Sequence, residues 1–93
     1  MKKYRMRVLG KMLMLASEPL CREWETATRY YRLEIVQDMF GMWVITRLWK
    51  GRFSKKGSSL TISTDDKDAA LRWMDIVDKQ RAKKGYTAIY NSA

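Results

Sequence analysis

Alternation of apolar and polar side chains is clearest between residues 30 and 49. Tyr31, Leu33 and Ile35 fall on one side of an extended chain and Arg32 and Glu34 on the other, so Tyr30 to Gln37 is predicted as a strand with one apolar face. Asp38 to Gly41 then supplies a tight reversal. From Trp43 to Trp49 a second strand places Trp43, Ile45, Arg47 and Trp49 on one face and Val44, Thr46 and Leu48 on the other. Large residues on both faces predict a central strand, packed on one side and used or partly covered on the other. Lys50-Gly51 and Lys56-Gly57 bracket a basic loop, after which Leu60 and Ile62 mark a third member of an antiparallel sheet. Upstream, Met12 to Ala16 reads as a short opening strand that Ser17, Glu18 and Pro19 break. Leu20 to Thr28 mixes Cys21, Trp24 and Ala27 without a clear period and reads as a connection.

The period changes after residue 65. Ala70, Trp73, Met74 and Val77, widened by Ile76, recur at helical spacing and predict a helix from about Asp66 to Lys83. Asp65 or Thr64 would cap its start, its basic last turn suits the negative end of the helix dipole, and Gly85 is placed as a left-handed C-cap. Tyr86, Ile89 and Tyr90 form a short closing segment. The expected architecture is α+β, a small antiparallel sheet of about four strands packed against one C-terminal helix. Residues 1–11 are expected as a basic, flexible leader, 12–90 as a single domain and 91–93 as a short tail.

Composition narrows the class. Ninety-three residues suffice for one small core, and 46% hydrophobic residues are too many for a disordered chain. The longest apolar run, Met12 to Ala16, is far short of the roughly 20 residues that span a bilayer, so no membrane association is expected. The lone Cys21 cannot form an internal bridge, which fits a reducing compartment; a cytoplasmic location is expected. With no histidine and one cysteine, the usual nucleophile triads and Cys/His metal clusters have no residues to build them. No phosphate-loop motif is present either, and no catalysis, metal or cofactor is expected.

Charge is the more informative property. The net +9 is clustered: residues 1–11 carry five cations and no acid, residues 47–56 repeat that balance, and Lys79, Arg81, Lys83 and Lys84 add four more. Residues 65–78 hold five aspartates against Lys67 and Arg72, a net of −3. Arg47, Lys50, Arg52, Lys55 and Lys56 lie beside Trp49 with no acidic residue among them, a combination suited to gripping phosphates while an aromatic ring packs on sugar or base. Each also has a structural role open to it. Trp49 could plug the sheet edge, Arg47 could cover the sheet with its stem, Arg52 could pin the loop by pairing with a helix aspartate, and Lys55 and Lys56 could simply solubilise the turn.

Read together, the opening strand, Arg29-Tyr30-Tyr31, Phe40-Gly41 before Trp43, the Trp-Gly-Arg turn, Gly57, a helix with Ala70 and the Lys84-Gly85-Tyr86 finish resemble the WGR domain. That module occurs in DNA-damage-responsive poly(ADP-ribose) polymerases and in short bacterial proteins. The name-giving motif departs from the family pattern, reading Trp49-Lys50-Gly51-Arg52 with a lysine inserted, and Ser54 replaces the usual second glycine. Keeping Trp43 and Arg47 in register makes Lys50 the extra residue, which a β-bulge at the strand end would absorb. In DNA-binding members the motif tryptophan packs on the sugar at a strand terminus while basic residues hold the backbone. The resemblance implies Trp49 for packing, Arg52 for phosphate or terminal contact, and Lys50, Lys55 and Lys56 as supporting charge. Arg47, Lys83 and Lys84 complete the expected nucleic-acid-binding set.

The expectation is a module that binds nucleic acid, DNA foremost and RNA second, by backbone, shape or strand ends. The alternative is a protein-interaction module that docks an acidic partner or mediates assembly. A positive surface joining residues 47–56 to Lys79 through Lys84 favours the first, and an apolar patch burying Trp49 favours the second.

Overall fold

The computed structural model describes residues 19–92. Five strands and one helix follow in the order β1 (Leu20–Glu25), β2 (Arg29–Gln37), β3 (Trp43–Gly51), β4 (Gly57–Thr64), α1 (Lys67–Lys83) and β5 (Thr87–Asn91). The sheet is antiparallel throughout, in the order β4-β3-β2-β1-β5. The first four strands form a meander, and α1 carries the chain across the sheet so that β5 adds to the far edge beside β1.

The strands predicted at Tyr30, Trp43 and Leu60 are present. The expected opening strand at Met12 to Ala16 lies outside the described residues, as does the leader at 1–11. Two expectations are corrected: the sheet has five strands rather than about four, and Leu20 to Glu25, read as a connection, is β1. The reason is Arg22. It stands between Leu20 and Trp24 on the inward face, where a guanidinium breaks the apolar alternation, yet its Nη1 reaches Asp78 of α1 at 3.3 Å. The closing segment expected after the helix is β5, which pairs with β1 from Arg22↔Asn91 to Glu25↔Thr87.

The core lies between one face of the sheet and α1. Trp24, Tyr31, Leu33, Ile35 and Ile45 supply the sheet side, and Ala70, Met74 and Val77 the helix side, all buried. Full burial of a side chain such as Leu33 or Val77 is worth about 1.5 to 3 kcal/mol, so this small cluster carries most of the fold's stability. Trp43 and Trp73 are partly buried and pack against it, whereas Ile76 is exposed and does not widen the stripe.

The ends of α1 follow local chemistry. Its N-cap is Asp66, not Asp65 or Thr64: the Asp66 carboxylate accepts from the Asp68 amide at 2.9 Å, while Thr64 Oγ1 accepts from the Asp66 amide at 3.1 Å. At the other end Gly85, with φ of 82°, lets the chain turn left-handed. The Gly85 amide donates to the Ala82 carbonyl at 3.1 Å and the Tyr86 amide to the Arg81 carbonyl at 2.9 Å, a Schellman closure.

Candidate nucleic-acid interface

The alternation of β3 sorts the predicted residues before any longer-range packing is considered. Pairing with β2 runs unbroken from Gln37↔Trp43 to Arg29↔Gly51, and with β4 from Trp43↔Thr64 to Lys50↔Gly57. No bulge absorbs Lys50; among the described residues the register shifts only between Glu23 and Trp24, where β1 meets β5. The strand instead extends through Gly51 as regular structure. Trp49 therefore faces the helix side with Arg47 and Ile45, and Lys50 faces the opposite side.

On the helix side an open pocket of about 260 Å³ forms where β2, β3 and the C-terminal end of α1 meet. Its walls are Arg29 and Tyr31 from β2, Arg47 and Trp49 from β3, Arg81 from the last turn of α1, and Lys84 and Tyr86 from the closure that follows. Four cations and three aromatic rings line it, with no carboxylate. Tyr31 organises these groups. It stacks on Trp49 with ring centres 6.2 Å apart and planes 15° from parallel, and it meets Tyr86 edge-on at 6.4 Å. Its hydroxyl accepts a hydrogen bond from Arg47 Nε at 2.5 Å.

Arg81 is the unusual member. Ala70, Met74, Val77 and Arg81 form one buried helical stripe, so the arginine continues the core face of α1 and is only 9% exposed. Its guanidinium lies 4.2 Å from the centre of the Tyr31 ring and 4.9 Å from that of Tyr86. Such contacts stabilise a cation by about 0.5 to 2 kcal/mol each. They leave hydrogen-bonding capacity unused: Nε is buried without a partner, and no carboxylate pairs with Arg81 among the described residues. A buried cation with unspent donors beside a polar opening is chemistry suited to an anion.

Of the predicted residues, the structure brings Arg47, Trp49 and Lys84 together in this pocket. The others lie elsewhere. Lys50, on the far face, sits 5.3 Å from the centre of the Tyr30 ring and donates to the Ser54 carbonyl at 3.1 Å. Arg52 pairs with Glu25 of β1 at 3.2 Å, so it pins the loop through a strand glutamate rather than a helix aspartate. Its amide also donates to the Thr28 carbonyl at 2.7 Å. Lys55 and Lys56 are exposed on the turn and Lys83 on the last helical turn; none of the three lines the pocket. The residues that sequence reasoning missed are Arg29, Tyr31, Arg81 and Tyr86. Arg81 had a signal, since it falls four residues after Val77 on the stripe, but as a last-turn cation it is equally explained by the helix dipole.

The arrangement defines a small α+β module with a basic, aromatic pocket at one end of the sheet. The family model described as WGR domain matches residues 20–93, and the chain belongs to that family. No curated protein and no solved structure matches the chain. Among the described residues there is no cluster of potential metal ligands, and no helix is long and apolar enough to cross a membrane.

Proposed function

We propose that this protein is a non-catalytic nucleic-acid-binding module that holds a strand of DNA by its sugar-phosphate backbone in the pocket between β2, β3 and the end of α1. The observation that carries the reading is the lining: Arg29, Arg47, Arg81 and Lys84 converge on Tyr31, Trp49 and Tyr86 without a single acid. Phosphates supply the missing counter-charge, and the half-buried Trp49 offers a ring against which a sugar or base can pack. The pocket also joins the basic patch of β3 to that of the helix end, the juxtaposition expected of a nucleic-acid surface. Membership of the WGR family supports the same class of ligand. Lys55, Lys56 and Lys83 then act at a distance, as diffuse positive field around the pocket.

The test is fluorescence anisotropy with labelled single-stranded, blunt and 5′-recessed duplex DNA and a matched RNA, over a salt series, for wild type, Lys84→Glu and Trp49→Ala. Binding should be micromolar or tighter at low salt and fall steeply as salt rises. It should weaken in both variants once circular dichroism shows that they are folded. Absence of binding at low salt, or variants that bind like wild type, would overturn the reading and favour an acidic protein partner.

A further inference from the structure

Strand β4 forms one edge of the sheet, and its outer amides and carbonyls have no strand partner among the described residues. Such an edge is a template for a further strand, and folded proteins blunt it with charge, proline or a bulge. None of these devices is present in β4. Its sequence, Gly-Ser-Ser-Leu-Thr-Ile-Ser-Thr, is uncharged, and its pairing with β3 is unbroken from Trp43↔Thr64 to Lys50↔Gly57. Six of its eight residues are exposed, Leu60 to 47%. The other edge is better guarded: β5 is five residues long and meets β1 through a register shift.

The charges at the two ends of β4 select what completes it. Lys55 and Lys56 lie immediately before the strand and Asp65 and Asp66 immediately after it, all four exposed. None of them forms an ion pair among the described residues. One end of the edge is thus cationic and the other anionic, and residues 55–66 sum to zero on a chain whose net charge is +9. That pattern is complementary to its own reverse. We infer that β4 pairs antiparallel with β4 of a second copy, about a two-fold axis normal to the sheet, to give a closed dimer with one continuous sheet. Such an axis sets one residue of the strand opposite its own copy. Placed at Leu60 it brings Lys55 across from the partner's Asp65, and placed at Thr61 it brings Lys56 across from the partner's Asp66. Parallel pairing would oppose lysine to lysine and aspartate to aspartate, so charge favours the antiparallel arrangement. The two chains also meet where neither carries excess charge, which limits the repulsion between two strongly basic molecules. Both α1 helices, and both basic pockets, then lie on the same face of the joined sheet. The inference does not depend on what the pocket binds.

The test is sedimentation equilibrium of the full chain over a range of concentrations, with reductant present so that Cys21 forms no cross-link. An eight-residue edge is a small contact, so the mass should rise with concentration from the 11.0 kDa of one chain toward twice that, and fall back on dilution. Thr61→Lys sets like charges against each other near the axis and should weaken the dimer roughly five- to tenfold. Thr61 is exposed, so circular dichroism should show this variant folded. Lys55→Glu with Lys56→Glu should also weaken the dimer, although the pair lowers the net charge, and adding Asp65→Lys should restore it in part. In the wild-type chain, amide resonances of residues 55–66 should shift on dilution, a readout that needs no variant to fold. A single-chain mass at every concentration, a mass beyond two chains, or association indifferent to Thr61→Lys would overturn the proposal. So would a dimer strengthened by the paired glutamates, or dilution shifts centred on β5 or the pocket.

Discussion

Arg81 and Tyr86 are joined twice: the Tyr86 amide donates to the Arg81 carbonyl at 2.9 Å, and the Tyr86 ring lies 4.9 Å from the Arg81 guanidinium. The backbone closure that ends α1 therefore also builds a wall of the pocket. Helix termination and site formation are one event, and Gly85, which permits the closure, is a site residue at one remove.

Replacing Arg81 separates its structural role from the proposed binding role. Arg81→Met keeps the stem's packing, loses two cation–π contacts and removes a desolvated charge that has no acidic partner, so the terms oppose each other. Urea denaturation should place the variant within about 1 kcal/mol of wild type. In anisotropy titrations its affinity for DNA should fall, and the magnitude of the slope of log K against log salt should drop by about 0.9 if one phosphate contact is lost.

The tryptophans of β1 and β3, which flank β2 in the sheet, should behave differently. Trp24 is 1% exposed, and its indole N–H donates to Asp78 Oδ1 at 3.1 Å. Trp24→Ala should cost about 3 to 5 kcal/mol in chemical denaturation and leave a domain of this size barely folded. Trp49→Ala gives up stacking on Tyr31 and half a side chain's burial, about 1 to 2 kcal/mol, and its main effect should be on binding.

Two glycines are required for different reasons, and alanine at each tests them. A Cβ at Gly57 would lie 2.7 Å from the Trp49 carbonyl oxygen and 2.8 Å from Lys50 Cβ, so β4 would have to move away from β3. Gly57→Ala should cost about 1 to 3 kcal/mol by calorimetry. At Gly85 no atom lies within 4 Å of a Cβ, and the penalty of Gly85→Ala is the left-handed backbone alone, about 1 to 2 kcal/mol. Because that strain acts on the closure holding Tyr86, Gly85→Ala should weaken DNA binding more than Gly57→Ala does, as paired titrations will reveal.

Alkaline pH should loosen the fold from the face opposite the helix. Burial pushes the Cys21 thiol above its ordinary value of 9.0, and burial together with the hydrogen bond to Glu23 pushes the Tyr30 phenol above 10.0. Both groups hold their protons more tightly folded than unfolded. Their contribution is thus complete below about pH 9 and is lost as pH rises through the folded-state values. Urea midpoints should stay level up to about pH 9 and then decline, and the decline should be shallower in Cys21→Ser and Tyr30→Phe.

How much of this molecule was legible in its sequence depends on the range of the interaction concerned. Local order was legible: the alternation of Tyr31, Leu33 and Ile35, the helical spacing of Ala70, Met74 and Val77, and the left-handed turn at Gly85 each arise from backbone geometry that neighbouring residues dictate. So was the presence of Arg47, Trp49 and Lys84 in basic, aromatic stretches. Strand β1 was hidden because Arg22 interrupts its apolar face, and only a carboxylate 56 positions away explains that. The place of Lys50 depended on whether β3 bulges, which pairing with β2 and β4 decides. The site itself was beyond reach for the same reason. Sequence clusters cations by proximity along the chain and so grouped Arg52, Lys55 and Lys56, whereas the pocket selects by face and end, taking Arg29, Arg47, Arg81 and Lys84 from three elements and a helix closure. Which side chains share a cavity is set by the register of a sheet and the packing of a helix across it, and neither is a local property.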